Sequence, residues 1–366
     1  MLKNLLKNTD YIVLVIALCL FILGVIGIYS AGYNSTNNTE YIKQLVWFGI
    51  MTIIMVVIWT VDYNTFDIAG YIIYIISTIL LVVVLFMPAI SGAKSWLNFK
   101  FFLYQPSELM KIAYILVFSK LLSTPTTTKR GRNLKLVLGL LSFLIPFGLI
   151  LLQPDFGTAI TFIVITLFML FASGIKYRYI LIAIAIILVL VPIIYFFVLS
   201  NYQQERILVF LDPSRDPLGY GYNAIQSKLA IGSGKLFGTG LLQGSQTQYG
   251  YLPVKSSDFI FSVLSEELGF IISALIVVLF VVLMIRMLYI ASNARDNFAK
   301  YIVIGITGMI FFHFVENIGM TIGLLPITGI PLPFVSYGGS NLMTNCIALA
   351  IVLSISARKS ANMFTD

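Results

Sequence analysis

Apolar runs of about 18 residues or more recur along the whole chain, and they limit its fold more than any motif does. A run of that length with few charges suits a helix crossing a bilayer, where every backbone polar group must find its partner inside the protein. Ten such runs can be drawn: Tyr11–Ser30, Gln44–Val61, Phe66–Met87, Ser107–Leu122, Leu136–Leu152, Thr158–Gly174, Tyr179–Leu199, Phe259–Met287, Tyr301–Leu325 and Ser340–Ala357. Composition agrees. The chain is 59% hydrophobic and only 10% charged, whereas soluble domains sit near roughly 25% charged. The expected fold class is an all-α polytopic membrane protein of ten transmembrane helices. Residues 1–366 form one integral membrane domain, with a long loop at about 200–257 between helices seven and eight.

An even number of spans puts both termini on one side, and the basic residues say which. Lys3, Lys7, Lys129, Arg130, Arg132, Lys135, Lys176, Arg178, Arg286, Arg295, Lys300, Arg358 and Lys359 fall on the side of the termini. The short loops opposite hold Lys43, Lys94 and Lys100. Cations accumulate on the cytoplasmic side, so the expected orientation is N-in, C-in with the long loop extracytoplasmic. The same bias accounts for the net charge of +8 without a nucleic-acid partner. Cys19 and Cys346 lie inside apolar runs and read as small hydrophobes. One histidine, His313, excludes a multi-histidine metal centre. The first run lacks a small-residue cleavage site and is expected to stay as an anchor.

Polar residues inside such a frame are expensive and ask for a reason. Glu108 and Lys111 are three apart on one helical face, either a strut between helices or part of a wet cavity. Lys120 reads as a cation snorkelling to the near surface. Asp155 can cap the helix that starts near Thr158. His313 and Glu316 share a face beside Asn317, as a proton relay or an interhelical clasp. Glu266 and Glu267 lie on adjacent faces of span eight. The segment Ser91–Gln105, with Trp96 among its aromatics, reads as interfacial. Gly323–Asn341 has too many prolines and glycines for continuous helix.

In the long loop, Tyr222–Ile231 has the spacing of a short amphipathic helix. GSGKLFGTG after it matches no phosphate-loop pattern, so its glycines read as phosphate contacts or as close backbone packing. Lys228 and Lys235 suit an anionic headgroup or plain solvation. Asp258 stands where the loop enters span eight, after Ser256 and Ser257. It reads as a helix-start carboxylate favoured by the dipole or as a general base.

QPSELMKIA (105–113), QPDFGTA (153–159), the stretch 210–248, SDFIFSVLSEELGF (257–270) and NIGMTIGLLPITGIPLPFVSYGGSN (317–341) together resemble the SEDS family of membrane peptidoglycan glycosyltransferases. QSKLAIGSG followed by LQGSQTQ resembles its elongation branch. The resemblance implies polymerisation of the undecaprenyl-pyrophosphate-linked disaccharide-peptide, lipid II, into β-1,4 glycan strands. It also implies a class B penicillin-binding protein as transpeptidase partner in the plasma membrane. The family's essential aspartate maps onto Asp258, its QPSE-xx-K pair onto Glu108 and Lys111, and a tryptophan onto Trp96. Candidates for touching substrate or pyrophosphate are Lys111, Glu108, Trp96, Lys228, Lys235 and Ser257. A divalent cation, Mg or Mn, is a candidate aid, although no metal cage is visible. Two stretches depart from the family pattern: Pro253–Phe259 lacks its glutamate and histidine, and GKLFGTG moves a lysine to Lys235. A flippase for the same lipid and a non-catalytic scaffold for a transpeptidase are the rival readings.

Overall fold

The computed structural model describes residues 2–34, 38–90, 92–99, 102–125, 128–175, 201–212, 215–216 and 219–358, with single positions at 178, 181, 185 and 196. The run Tyr179–Leu199 therefore lies almost wholly outside the described residues. The helices are α1 (Leu2–Asn8), α2 (Tyr11–Gly32), α3 (Glu40–Thr60), α4 (Phe66–Val84), α5 (Pro106–Ser123), α6 (Lys129–Leu152) and α7 (Phe156–Ala172). They continue with α8 (Asn201–Leu211), α9 (Tyr220–Ser233), α10 (Ile260–Ser292), α11 (Asn297–Ile322) and α12 (Gly339–Ala357). Seven described helices are long and apolar enough to cross a membrane. The protein is a polytopic helical membrane protein.

Burial sorts the helices. Along α3 and α4, residues such as Ile53 and Ile68 are exposed, the apolar surface that lipid covers. By contrast α5, α11 and α12 are buried along most of their length. That explains why α5 tolerates Glu108 and Lys111, since both face protein. Where α2 begins and α12 ends, two arginines tie the bundle together. Arg286 Nε donates to Asp10 Oδ2 at 2.8 Å, and Arg358 Nη2 donates to the Thr60 carbonyl at 2.7 Å. Lys120, read as a snorkelling cation, is partly exposed and pairs with Asp67 in the first turn of α4. Its long stem reaches a carboxylate on the neighbouring helix.

Two segments carry structure that their sequence did not suggest. Ser91–Gln105 contains a two-stranded antiparallel hairpin, β1 (Leu97–Asn98) with β2 (Leu103–Tyr104), closed by a Phe99–Phe102 stack. Span eight is also not one straight crossing. Gly269 inside α10 has φ 78° and ψ −174°, and the helix folds back on itself there. Ser273 Oγ donates to Ser265 Oγ at 2.8 Å, although residues eight apart in a straight helix stand about 12 Å apart. One arm, 260–268, ascends beside α2: Gly27 faces Ile260 and Leu264, and Ser30 bonds Glu267. The other arm, 270–292, descends antiparallel to α2 until Arg286 meets Asp10.

The break leaves backbone groups open, and the loop fills them. Phe270 and Ile271 donate to the Lys235 and Leu236 carbonyls at 2.9 and 3.3 Å. Thr239 and Gly240 donate to the Glu266 and Glu267 carbonyls at 2.9 and 3.1 Å. A side chain at Gly234 or Gly238 would strike the Ser265 or Glu267 carbonyl, at 1.9 and 2.0 Å. These glycines therefore serve close backbone packing. Helix α9, anticipated over Tyr222–Ile231, lies against α10 and α11.

Candidate active site

The ascending arm of α10 hangs Asp258 well below the rim of the bundle. Ser336 Oγ donates to the Ser257 carbonyl at 2.6 Å, and the Tyr337 amide donates to the Ser256 carbonyl at 2.9 Å. The adjoining Val335 carbonyl abuts Gly24 of α2. Gly24 is eight residues before the helix end at Gly32, about 12 Å along the axis. Such irregular backbone at depth needs internal partners, and Gln44 of α3 supplies several. Its amide donates to the Ser336 carbonyl at 3.1 Å, and its carbonyl oxygen accepts from the Gly338 amide at 3.4 Å. The sequence alone marks Gln44 only as the edge of a span.

Asn317 of α11 fixes the arm's lower end. Its amide donates to the Asp258 carbonyl at 3.0 Å and to the Ile330 carbonyl at 2.9 Å. The Asp258 side chain is half-buried, accepts from Ser257 Oγ at 3.1 Å, and lies under Gly329 in the turn between α11 and α12. A Cβ at Gly329 would stand 3.3 Å from Asp258 Oδ2, and its φ of 78° also favours glycine.

One turn down α11 from Asn317, His313 meets the second group of candidates. Lys111 Nζ donates to Glu108 Oε1 at 2.8 Å and lies 3.0 Å from His313 Nε2. Lys111 is 1% exposed. An ammonium can only donate, so His313 Nε2 is the acceptor and the imidazole is neutral in this arrangement. The contact joins α5 to α11, as an interhelical clasp does. Glu316 likewise accepts from Thr328 Oγ1 at 2.6 Å. Asp155 caps α7 as anticipated, accepting from the Thr158 amide at 3.1 Å and its hydroxyl at 2.9 Å. Gln105, whose role the sequence did not suggest, donates to Asp155 Oδ2 at 3.0 Å. Burial raises the Asp155 carboxyl above its ordinary range, offset by the Thr158 bonds and the Lys111 charge.

The remaining candidates are spread out. Lys228 is exposed on α9 and lies against Gly323, the left-handed C-cap of α11, where a cation complements the helix dipole. Lys235 is exposed at the apex of the α10 fold, about 15 Å of helical rise from Asp258. Trp96 is half-buried just before β1, on the segment leading into α5. Ser257, Asp258, Lys111 and Glu108 are thus joined through α11, and Lys228 stands at its end. Among the described residues no three His, Cys, Asp or Glu side chains gather as a metal cage. A divalent ion here would rest on one carboxylate and the phosphates of a substrate.

Glu266 and Glu267 take no part in this cluster. Glu266 accepts from the Gln246 and Thr247 amides at 2.8 and 3.0 Å, and from Thr247 Oγ1 at 2.7 Å. Glu267 accepts from the Leu242 amide at 3.1 Å, Ser30 Oγ at 2.6 Å and Gln248 Nε2 at 2.8 Å. The pair clamps the loop to the apex.

Comparison with known proteins gives one answer. The chain is 42% identical to peptidoglycan glycosyltransferase MrdB of Escherichia coli K12, over 77% of this chain and 76% of that one. It is 34% identical to peptidoglycan glycosyltransferase RodA of Treponema pallidum, over 96% and 98%. It is also 40% identical to stage V sporulation protein E of Bacillus subtilis, over 77% of each. Among solved structures, a chain of a peptidoglycan synthase complex that coordinates polymerization and crosslinking aligns with a TM-score of 0.81. That alignment has 27% identity and covers 97% of this chain and 99% of that one. The rod shape determining protein RodA of Thermus thermophilus, 24% identical, shares the fold with a TM-score of 0.71 over 98% of each chain. The family model described as cell cycle protein, FtsW/RodA/SpoVE, matches residues 10–361, and the chain belongs to that family.

Proposed function

We infer that the chain is a peptidoglycan glycosyltransferase that polymerises lipid II into β-1,4 glycan strands on the outer side of the plasma membrane. One observation carries the assignment of the reacting group: Asp258 is held about 12 Å below the end of α2, at the foot of the ascending arm, where Tyr337, Ser336 and Asn317 donate to the Ser256, Ser257 and Asp258 carbonyls. A carboxylate so placed can take the proton from an acceptor sugar hydroxyl as that oxygen attacks the donor's anomeric carbon. The new glycosidic bond forms as the bond to the lipid pyrophosphate breaks, with inversion, and the pyrophosphate leaves carrying the electron pair. Lys228, at the end of α11, is an exposed cation available for that departing charge, whereas Lys235 at the apex stands about 15 Å of helical rise from Asp258. Ser257 orients the carboxylate, and Trp96 borders the approach. Lys111 is already held by Glu108 and His313, so this pair acts by fixing α5 against α11.

The remaining features of the proposal are larger in scale. Ten spans with both termini inside leave residues 200–257 outside the membrane, as the distribution of basic residues favours. A class B penicillin-binding protein is the partner that crosslinks the strands, and the alignment with a peptidoglycan synthase complex supports it. A flippase for the same lipid would use a similar buried charge cluster. Purified protein in detergent, which has no two sides, separates the readings: glycan polymer should form from lipid II. Asp258→Asn should insert normally yet lose about 10²–10⁴ in rate. A near wild-type rate in that variant would make Asp258 a mere helix-start residue.

A further inference from the structure

The two arms of α10 do not close on each other. Between them lies an open cleft of about 370 Å³, walled by the end of α9 and by α11. Phe261 and Ser265 line it from the ascending arm, and Phe270, Ala274 and Val277 from the descending one. Ile318 and Ile322 close one side, on a different face of α11 from Asn317. The walls are apolar. The polar floor is already satisfied, because Ser273 Oγ donates to Ser265 Oγ at 2.8 Å and to the Gly269 carbonyl at 2.9 Å. One cation enters the lining, Lys235, at the apex. Unlike Lys111, Lys120, Arg286 and Arg358, it has no carboxylate in ion-pairing reach among the described residues. Its backbone is held at φ 46° while its carbonyl accepts from Phe270, a strained position for a residue with a side chain. Leu236 and Phe237 beside it are exposed, Phe237 by 80%.

An apolar slot with a lone unpaired cation at its mouth complements a hydrocarbon chain that ends in a phosphate. We propose that this cleft binds one chain of an anionic membrane phospholipid, with the phosphate on Lys235 and the chain running between the arms toward Phe261. The occupant is not the reacting lipid. A phosphate on Lys235 sits at the apex, about ten residues of rise from Asp258, or about 15 Å, and its chain points away from the headgroup side.

The test uses the full chain in nanodiscs containing phosphatidylglycerol or phosphatidylcholine, each with a photoreactive acyl chain, followed by peptide mapping of adducts. Adducts on 261–277 are expected, with phosphatidylglycerol favoured about fivefold, the preference one interfacial lysine confers. Lys235→Gln should abolish the preference while leaving some labelling. Ala274→Trp, which fills the cleft, should abolish the adduct itself. Equal labelling by both lipids in the wild type, or labelling indifferent to Ala274→Trp, would overturn the proposal. So would suppression of the labelling by undecaprenyl pyrophosphate added before photolysis, which would make the cleft a substrate groove.

Discussion

Lys111 is buried, and among the described residues its ammonium nitrogen meets two side chains: Glu108 Oε1 at 2.8 Å and His313 Nε2 at 3.0 Å. Removing one member of a buried pair leaves the other uncompensated, at about 3–5 kcal/mol. Lys111→Met should therefore abolish glycan synthesis or protein accumulation. Lys120→Met should be tolerated, because the Lys120–Asp67 pair is partly exposed and such pairs contribute about 0–1 kcal/mol. Western blotting and polymer assays on both variants measure this, and equal tolerance would deny Lys111 its anchoring role. Spacing alone exposed the Glu108–Lys111 pair, since three residues on one helix must share a face. The partnership with His313, 202 residues away, has no local signature. Nor does the work of Glu266 and Glu267: adjacent carboxylates in an apolar run look like site residues, yet they receive loop amides. Neutralising either is therefore a poor control for Asp258→Asn.

At the scale of elements, the fold of α10 turns on Gly269. A Cβ there would lie 2.2 Å from the Gly238 amide nitrogen, in a backbone conformation that side chains rarely adopt. Gly269→Ala should cost about 1–3 kcal/mol and disengage the loop at 235–240, lowering both thermal stability and activity. Gly148→Ala, in helix α6 with nothing within 4 Å, should leave both unchanged or slightly raise stability. Thermal unfolding in detergent, read by tryptophan fluorescence, compares the two, and a stable, active Gly269→Ala would mean that the fold does not depend on glycine. Hydropathy could not see this turn. Both arms are apolar, so 259–287 reads as one span, and a single glycine within a helical pattern is usually tolerated. The helix of α9 and the cap at Asp155 were legible, because each depends on residues three or four apart.

For the whole molecule, the apolar runs foretold a polytopic bundle because lipid imposes one rule on every spanning segment. How the loop packs was hidden, since its partners are backbone groups that any sequence offers. The assignment of sides rests on the lysines and arginines, and it can be checked. Tyr249, 76% exposed on the loop, offers a place for a thiol. Tyr249→Cys in a background lacking Cys19 and Cys346 should react with a membrane-impermeant maleimide in cells whose outer layers admit it. Reaction only after lysis would invert the topology and put Asp258 on the wrong side of the membrane for wall synthesis.

The hydrogen bonds traded between 235–240 and 266–271 also impose an order on biosynthesis. The loop segment leaves the ribosome first, and its partners at 266–271 are complete only when Ile271 has been added, some 31 residues after Gly240. Until then the 260–268 arm is an apolar helix with open carbonyls at its end, unable to rest in lipid alone. A nascent chain stopped at Ile271 would carry Asp258 and the docked loop but not Asn317, Ser336 or Tyr337, the residues that fix its depth.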